Sequence, residues 1–338
     1  MIETFSLENC GPIASVSWPL SPYINLIIGE NGTGKSLLLK TLYAVVRSME
    51  FYQRGNDTRT FSQILGEKLR GTFQLEQVGD LVRKGGDRLR FEGKIDNQTV
   101  FFSFTPSAVQ GVGEVSRFIH PRADALSVFL PPKEILSLTP IIMKSRLQDQ
   151  IFGFDDTYLD LAIALEGTPT QGRTHDNLAQ ARRQLSSLYN GRLEQKGEEW
   201  VFKQGNARYS IHMTAEGIKR LAIIDRLIGN RSLSPGSILF IDEPEATLHP
   251  QAVVNFMEIL HLLAQQDIQV IMASHSYFVL KALHIIASRE QVDFQILSLQ
   301  KDGDYETANL REEIPDNPII DQSIDLYERE VAAEIALA

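Results

Sequence analysis

An α/β fold organised around a phosphate-binding loop is the class the sequence predicts, and three stretches predict it. The run Tyr23-Ile24-Asn25-Leu26-Ile27-Ile28 is apolar almost throughout, the profile of a central strand buried on both faces, and it opens into a glycine-rich turn followed by a helical pattern. A second apolar run, residues 237 to 241, ends in Asp242-Glu243, and a third, residues 269 to 273, ends in Ser274-His275-Ser276.

The bulk composition narrows the candidates. A chain of 338 residues, 43% hydrophobic and 22% charged, can bury the core of one large α/β domain or two lobes and is not disordered. Its apolar runs are too short to span a membrane, and acids stand at the N-terminus where a secretory signal carries basic residues, so no membrane role is expected. The single cysteine, Cys10, forbids an internal disulfide and makes a reducing cytoplasm the default compartment. A net charge of −10 argues against a surface that grips phosphate backbones everywhere, but leaves room for a local basic groove.

Taken in order, residues 2 to 7 and 13 to 18 read as two strands that precede the central one. The turn Gly29-Glu30-Asn31-Gly32-Thr33-Gly34-Lys35-Ser36 then matches the phosphate-loop pattern in full, with a strand before it and, through Leu38, Leu39, Leu42, Val45 and Val46, a helix after it. That context disfavours a chance glycine-rich turn. Asn31, Gly32, Thr33, Gly34, Lys35 and Ser36 are the expected nucleotide-binding residues. The glycines let backbone N–H groups wrap a phosphate, the helix N-terminus adds positive potential, and Lys35 adds a full charge. Ser36 is expected to ligate Mg²⁺.

The middle is less legible. Residues 88 to 94 and 99 to 105 alternate around Asp96-Asn97, which predicts a hairpin. Residues 125 to 130 predict a strand that ends in Pro131-Pro132-Lys133-Glu134. Residues 135 to 158 and 177 to 189 read as helices with a loop over 167 to 172 between them. A second hairpin, 200 to 203 with 208 to 213, feeds a helix that starts at Thr214-Ala215-Glu216-Gly217. No sustained heptads fill this region, which excludes a long coiled-coil arm. The expected organisation is therefore a two-part core, 1–48 and 205–338, with an antiparallel hairpin and compact helical insertion over 49–204. Arg173, Arg182, Arg183 and Arg192, and Arg83, Lys84, Arg88 and Arg90, read more readily as solvated faces or acid partners than as a DNA or RNA contact. Residues 324 to 338 read as an acidic amphipathic helix packed on the rest.

Beside a phosphate loop, the strand-end acids take on roles. Asp242 stands where a Mg²⁺-water shell needs a carboxylate, and Glu243 could orient or deprotonate an attacking water. His275, at the end of a neighbouring strand, could contact a terminal phosphate. His120, His175, His212, His261 and His284 lack such a context and are read as packing or surface residues.

The phosphate loop, the Asp242-Glu243-Pro244-Glu245 strand end, the stretch Glu245-Ala246-Thr247-Leu248-His249-Pro250, the Ser274-His275-Ser276 turn and the opening Leu7-Glu8-Asn9-Cys10-Gly11-Pro12-Ile13 together resemble an ABC-type ATPase head. More narrowly, the chain is similar to the SMC-like and OLD-like (overcoming lysogenization defect) ATPases, over residues 1 to 48 and 205 to 300. The resemblance implies a P-loop NTPase of ABC type, with a mixed central sheet, an antiparallel β subdomain and a helical insertion, that binds ATP and Mg²⁺. It implies two copies facing head to tail, with the helix start at Thr214 and Gly217 of one capping the phosphate bound by the other.

Departures are visible. Ala215 stands where serine is usual, and Glu216 stands where glycine is usual and must turn away or pair with Lys219 or Arg220. Thr214 either supplies the missing hydroxyl or caps the helix. The glutamine common after the 125–130 strand is missing, so Lys133, Glu134 or water takes its place. His249 either crosses to the partner copy or caps the following helix.

The function this implies is an ATPase with Glu243 and His275 as catalytic residues, which dimerises on ATP and gates a nucleic-acid transaction or a separately encoded effector such as a nuclease, in phage defence or DNA repair. No nuclease motif follows residue 300. A nucleotide-sensing scaffold with little turnover is the alternative. A transporter ATPase subunit fits less well.

Overall fold

The computed structural model describes the chain except residues 123–125, 152, 169–175, 198, 302 and 338, and except the side chains of 176, 177, 334, 336 and 337. Arg173 and His175, and the start of the strand expected from residue 125, lie outside the described residues. The elements run β1 Ile2–Cys10, β2 Ile13–Pro19, β3 Ile24–Gly29, α1 Lys35–Phe51, α2 Phe61–Phe73, β4 Leu89–Ile95, β5 Gln98–Phe104, β6 Glu114–Val115 and β7 Ser127–Leu130. There follow α3 Thr139–Met143, α4 Asp156–Glu166, α5 Asp176–Tyr189, β8 Arg192–Lys196, β9 Glu199–Gln204, β10 Ala207–Ser210 and α6 Glu216–Gly229. The chain closes with β11 Ile238–Asp242, α7 Pro250–Ala264, β12 Gln269–Ala273, α8 Tyr277–Glu290, β13 Gln295–Leu299, β14 Tyr305–Asn309 and α9 Pro318–Leu337.

Six strands form the central sheet in the order β14-β13-β3-β12-β11-β7, parallel except for β14. All of β3, β11 and β12 is buried, as a parallel sheet covered on both faces requires. Alternate residues feed two different cores. Ile24, Leu26, Ile28, Leu239, Ile241, Val270 and Met272 pack with the helical side built from α4 to α8. Ile27, Ile238, Phe240 and Ile271 pack with α1 and the second sheet. That second sheet, β2-β1-β4-β5-β6, is antiparallel, and β4 alternates buried and exposed residues along its length. Helix α1 lies between the two sheets and is buried along most of its circumference, which explains why its apolar pattern is nearly continuous.

Gln269 ties the sheets together. Its side chain accepts from the Ile2 amide at 2.8 Å and donates to the carbonyls of Ile2 and Ser21, each at 2.8 Å, with no exposure to solvent.

The hairpin expected around Asp96-Asn97 is β4-β5, and both turn residues are left-handed (φ 47° and 62°), the geometry of a tight turn matched to strand twist. Three expectations change. The helix expected over 135 to 158 is interrupted. Pro140 opens a five-residue α3, a wide turn follows to Gln148, Gln150 turns left-handed (φ 52°), and α4 starts only where Asp155 caps the Thr157 amide at 2.8 Å. The second hairpin gains a third strand, β8, so residues 192 to 210 form a small sheet of order β10-β9-β8. Helix α9 begins at Pro318, not 324. Helix α2, which the periodicity did not suggest, opens with a capping box between Thr60 and Gln63.

Gln269→Leu leaves three buried backbone groups without their partner. It is expected to lower unfolding free energy by about 3 kcal/mol in urea denaturation, whereas Gln266→Leu, at a partly exposed position after α7, should be near neutral.

Candidate functional site

The strands β3, β12 and β11 end level. Ile27 pairs with Ala273, and Ala273 pairs with Asp242, so the loop after β3, the turn after β12 and the acids after β11 emerge side by side at the carboxyl edge of the sheet. Ligands of open parallel sheets bind at such an edge.

Glycine is demanded at two loop positions. Gly29 has φ 145°, and a Cβ there would come within 2.4 Å of the Leu299 carbonyl on the adjacent β13. Gly34, φ 100°, caps α1 and presses against Pro12 and Ile13. Thr33 is buried, and its hydroxyl donates to the Glu30 carbonyl at 3.0 Å. Lys35 curls over the loop and donates to the carbonyls of Gly29 and Glu30, both at 2.8 Å. Burial pulls its pKa down, against the field of Asp242, Glu243, Glu245 and Glu30.

Ser36 Oγ donates to Asp242 Oδ1 at 3.0 Å. Burial pushes the Asp242 pKa up and Glu243 adds to this, while the Ser36 bond opposes it. A hydroxyl and a carboxylate at this separation are hard oxygen donors suited to Mg²⁺, and a cation is the neighbour that would relieve a buried carboxylate. Among the described residues no cluster of three or more His, Cys, Asp or Glu forms a metal cage. A Mg²⁺ held by Ser36 and Asp242 would therefore take its remaining ligands from water and phosphate.

Glu243 adopts φ 51°, a left-handed conformation uncommon outside glycine, and its amide donates to the Ala273 carbonyl at 2.9 Å. This turns its half-exposed carboxylate out over the sheet edge. His275 Nδ1 lies 3.8 Å from Glu243 and 3.5 Å from Glu245. Glu245 holds the Ser274-His275-Ser276 turn in place by accepting from the Ser274 hydroxyl at 2.9 Å and the His275 amide at 3.1 Å.

Two contributors escaped sequence reasoning. Arg220, buried within α6, donates to the Asp242 carbonyl at 2.7 Å and to the Pro132 carbonyl at 3.0 Å. Burial brings its pKa down to about 10 despite Glu245, Asp242 and Glu243. It supports the acid strand from beneath. The signal was an arginine in the core-facing register of Gly217, Ile224 and Leu227. Lys40, one turn beyond Ser36, is paired with Asp155 at 2.6 Å and joins α1 to the cap of α4.

Neither Thr214 nor Gly217 bonds to the phosphate loop among the described hydrogen bonds. Thr214 does not cap α6. Its hydroxyl donates to the Ser210 carbonyl at 3.3 Å, and Ala215 is the N-cap residue with no side-chain cap. The start of α6 thus keeps uncapped N–H groups. Gly217 packs against the 247–248 segment, where a Cβ would come within 2.9 Å of Leu248 and of the Thr247 carbonyl. Glu216 pairs with Lys219 at 3.0 Å, and Lys219 pairs with Glu134 at 3.1 Å, so the Glu134 carboxylate is already engaged. His249 accepts from the Gln251 amide at 3.3 Å and caps α7.

The raised pKa of Asp242 means that its charge costs stability in the folded chain. Asp242→Asn, which keeps an acceptor for Ser36, should therefore raise the urea midpoint of the nucleotide-free protein near pH 7.5. The advantage should shrink toward pH 4, as the wild-type carboxyl protonates more readily folded than unfolded. An unchanged or lower midpoint at pH 7.5 counts against this account.

Comparison with known proteins places this geometry. No curated protein matches the chain. Among solved structures, an Smc head bound to the C-terminal winged-helix domain of ScpA superposes with TM-score 0.53 at 16% identity, covering 91% of this chain and 97% of that one. An Smc head with an extended coiled coil bound to the C-terminal domain of ScpA, from Pyrococcus furiosus, gives 0.49 at 13% identity, covering 97% and 98%. The SMC head domain from Thermotoga maritima gives 0.46 at 11% identity, covering 91% and 98%. The fold is that of an SMC-like, ABC-type ATPase head. A family model described as "AAA domain, putative AbiEii toxin, Type IV TA system" matches residues 24–281, more than half of the sequence, and the chain belongs to that family.

Proposed function

We propose that the chain is an ATP-binding and ATP-hydrolysing head that closes on nucleotide as a pair of identical copies and gates a separately encoded effector. The observation that carries this reading is the level ending of β3, β11 and β12, which sets Lys35, Ser36, Asp242, Glu243 and His275 around one edge.

In this reading the backbone of residues 31 to 34 and Lys35 hold the β- and γ-phosphates. Lys35 exchanges its two loop carbonyls for phosphate oxygens. Ser36 and Asp242 hold Mg²⁺, which when bound neutralises charge on the phosphates. Glu243 orients the attacking water and accepts its proton, and His275, steadied through Glu245, donates toward the γ-phosphate. The uncapped start of α6, at Thr214 and Gly217, presents N–H groups to the phosphate bound by the partner copy.

A gated effector, in phage defence or a DNA-repair setting, is supported by two likenesses. The family description names a toxin of a toxin–antitoxin system, and one matched Smc head carries a bound domain of a partner protein. A second reading, a nucleotide sensor with little turnover, is favoured by Glu134 being engaged with Lys219 where a free metal-facing side chain would serve hydrolysis.

Lys35→Ala should abolish Mg²⁺-dependent phosphate release. Glu243→Gln should lower turnover by about a hundredfold or more and, in light scattering with saturating ATP, accumulate a dimer. Retained turnover in Glu243→Gln, or a monomer under those conditions, overturns the catalytic assignment or the pairing respectively.

Ala215→Asp tests the shared site cleanly, because an exposed aspartate at an N-cap supports α6 within its own chain while repelling a phosphate presented by the other. Alone it should be inactive with an unchanged melting temperature. Mixed with Lys35→Ala it should regain part of the activity, since mixed dimers keep one intact site. No recovery on mixing stands against the two-copy site.

A further inference from the structure

Helix α9 leaves the domain with an apolar seam uncovered. Ile320, Ile324, Tyr327, Val331 and Ile335 recur at spacings of four, three, four and four, which aligns them on one face. Among its described residues, those packed against the core lie at the root. Ile319 and Ile320 pack against the helical core, whereas Ile324 is 52% exposed, Tyr327 66% and Ile335 72%. Large side chains this exposed, in register along one helix, mark a contact surface.

The charges beside the seam indicate what covers it. Asp321 and Glu328 flank one side, Glu330 lies on the other, and Asp325 stands behind with Arg329, which it bonds at 3.1 Å. Pairing the seam with that of a second copy would bring acidic rows against acidic rows, which disfavours self-association through α9. An anionic lipid surface is opposed by the same charges. A groove with an apolar floor and a rim of lysine or arginine meets both features.

The root of α9 also adjoins the nucleotide site. A cavity of about 420 Å³ is lined by Glu30 of the phosphate loop, by Lys301, with which Glu30 is paired, and by Asp316, Asn317, Pro318 and Asp321 around the first turn of α9.

We infer that α9 is a docking arm for a partner protein that offers a basic-rimmed apolar groove, rooted beside the phosphate loop. This deepens the effector-gating reading and rests on it for the partner's role. The docking itself is measured without nucleotide, so a failure here leaves the hydrolysis and pairing tests untouched.

The test uses the full chain and two labelled synthetic amphipathic peptides of roughly 18 residues, one with a leucine seam and lysine rim, the other with a leucine seam and glutamate rim. Fluorescence anisotropy should show saturable binding of the lysine peptide, and at least about tenfold weaker binding of the glutamate peptide. The variant I324S/Y327S/I335S keeps every charge and should weaken the lysine peptide at least about tenfold. The variant D321K/D325K/E328K keeps the seam and should exchange the preference toward the glutamate peptide.

Equal binding of the lysine peptide to wild type and the seam variant would show general attraction to an acidic surface and overturn the proposal. So would no binding at all. Nucleotide-free self-association in sedimentation that the seam variant abolishes would make the occupant a second copy. Flotation of wild type but not the seam variant with phosphatidylcholine vesicles would make it a lipid surface. Either result also overturns the proposal.

Discussion

The constraint on which the rest of this molecule depends is the concentration of carboxylates at the end of one buried strand. Asp242, Glu243 and Glu245 follow one another at the edge of β11, where a parallel sheet covered on both faces offers little water. Two cations balance them from different directions. Lys35 approaches from the loop above and Arg220 from within α6 below, and burial pulls the pKa of both down while the acids hold it up. Asp242 is pushed the other way. Charge that the fold satisfies only in part suits a ligand-binding edge, because preorganised dipoles and charges act on a ligand without further rearrangement.

A second ionic network braces the phosphate-loop helix from behind. Asp160 on α4 is buried and accepts from Tyr43 on α1 and Lys68 on α2. Burial opposes its ionisation, but Lys68 and Arg47 outweigh this and hold its pKa below the usual range. Glu50 at the end of α1 is shared between Arg47 and Arg122 and also accepts from the Ser127 amide at the start of β7. Removing one member of such a buried set leaves an uncompensated charge, a cost of several kcal/mol, at the place where α1, α2, α4 and β7 meet. The helix that carries Ser36 is thereby tied to α4 and to the start of β7.

Burial and local backbone geometry explain why some parts of the chain were easy to read and others were not. The three site-bearing strands were legible because full burial forces continuous apolar runs, and the loop was legible because Gly29 and Gly34 occupy positions where a Cβ would collide or strain. The hairpin at Asp96-Asn97 was legible for a similar reason, since its turn demands left-handed residues. Residues 135 to 158 misled because their composition suits a helix, while the break depends on Gln150 turning left-handed and on Asp155 finding the Thr157 amide. Helix α2 had a local signal, Thr60-Phe61-Ser62-Gln63, too short to stand out against its neighbours. Strand β8 had none, because its residues are only half-buried and gain their conformation by pairing with β9.

The sequence by itself determined the phosphate loop, the acids that end one strand and the histidine that ends another, because each is a local requirement of backbone geometry or charge. Only the tertiary structure decided that Arg220 and Lys40 stand behind them, that Thr214 spends its hydroxyl on Ser210, and that α9 projects with its seam uncovered. The contacts of Arg220 and Lys40 join residues far apart in the chain. A side chain's partner across such a distance is set by packing and register, which no short window of residues encodes.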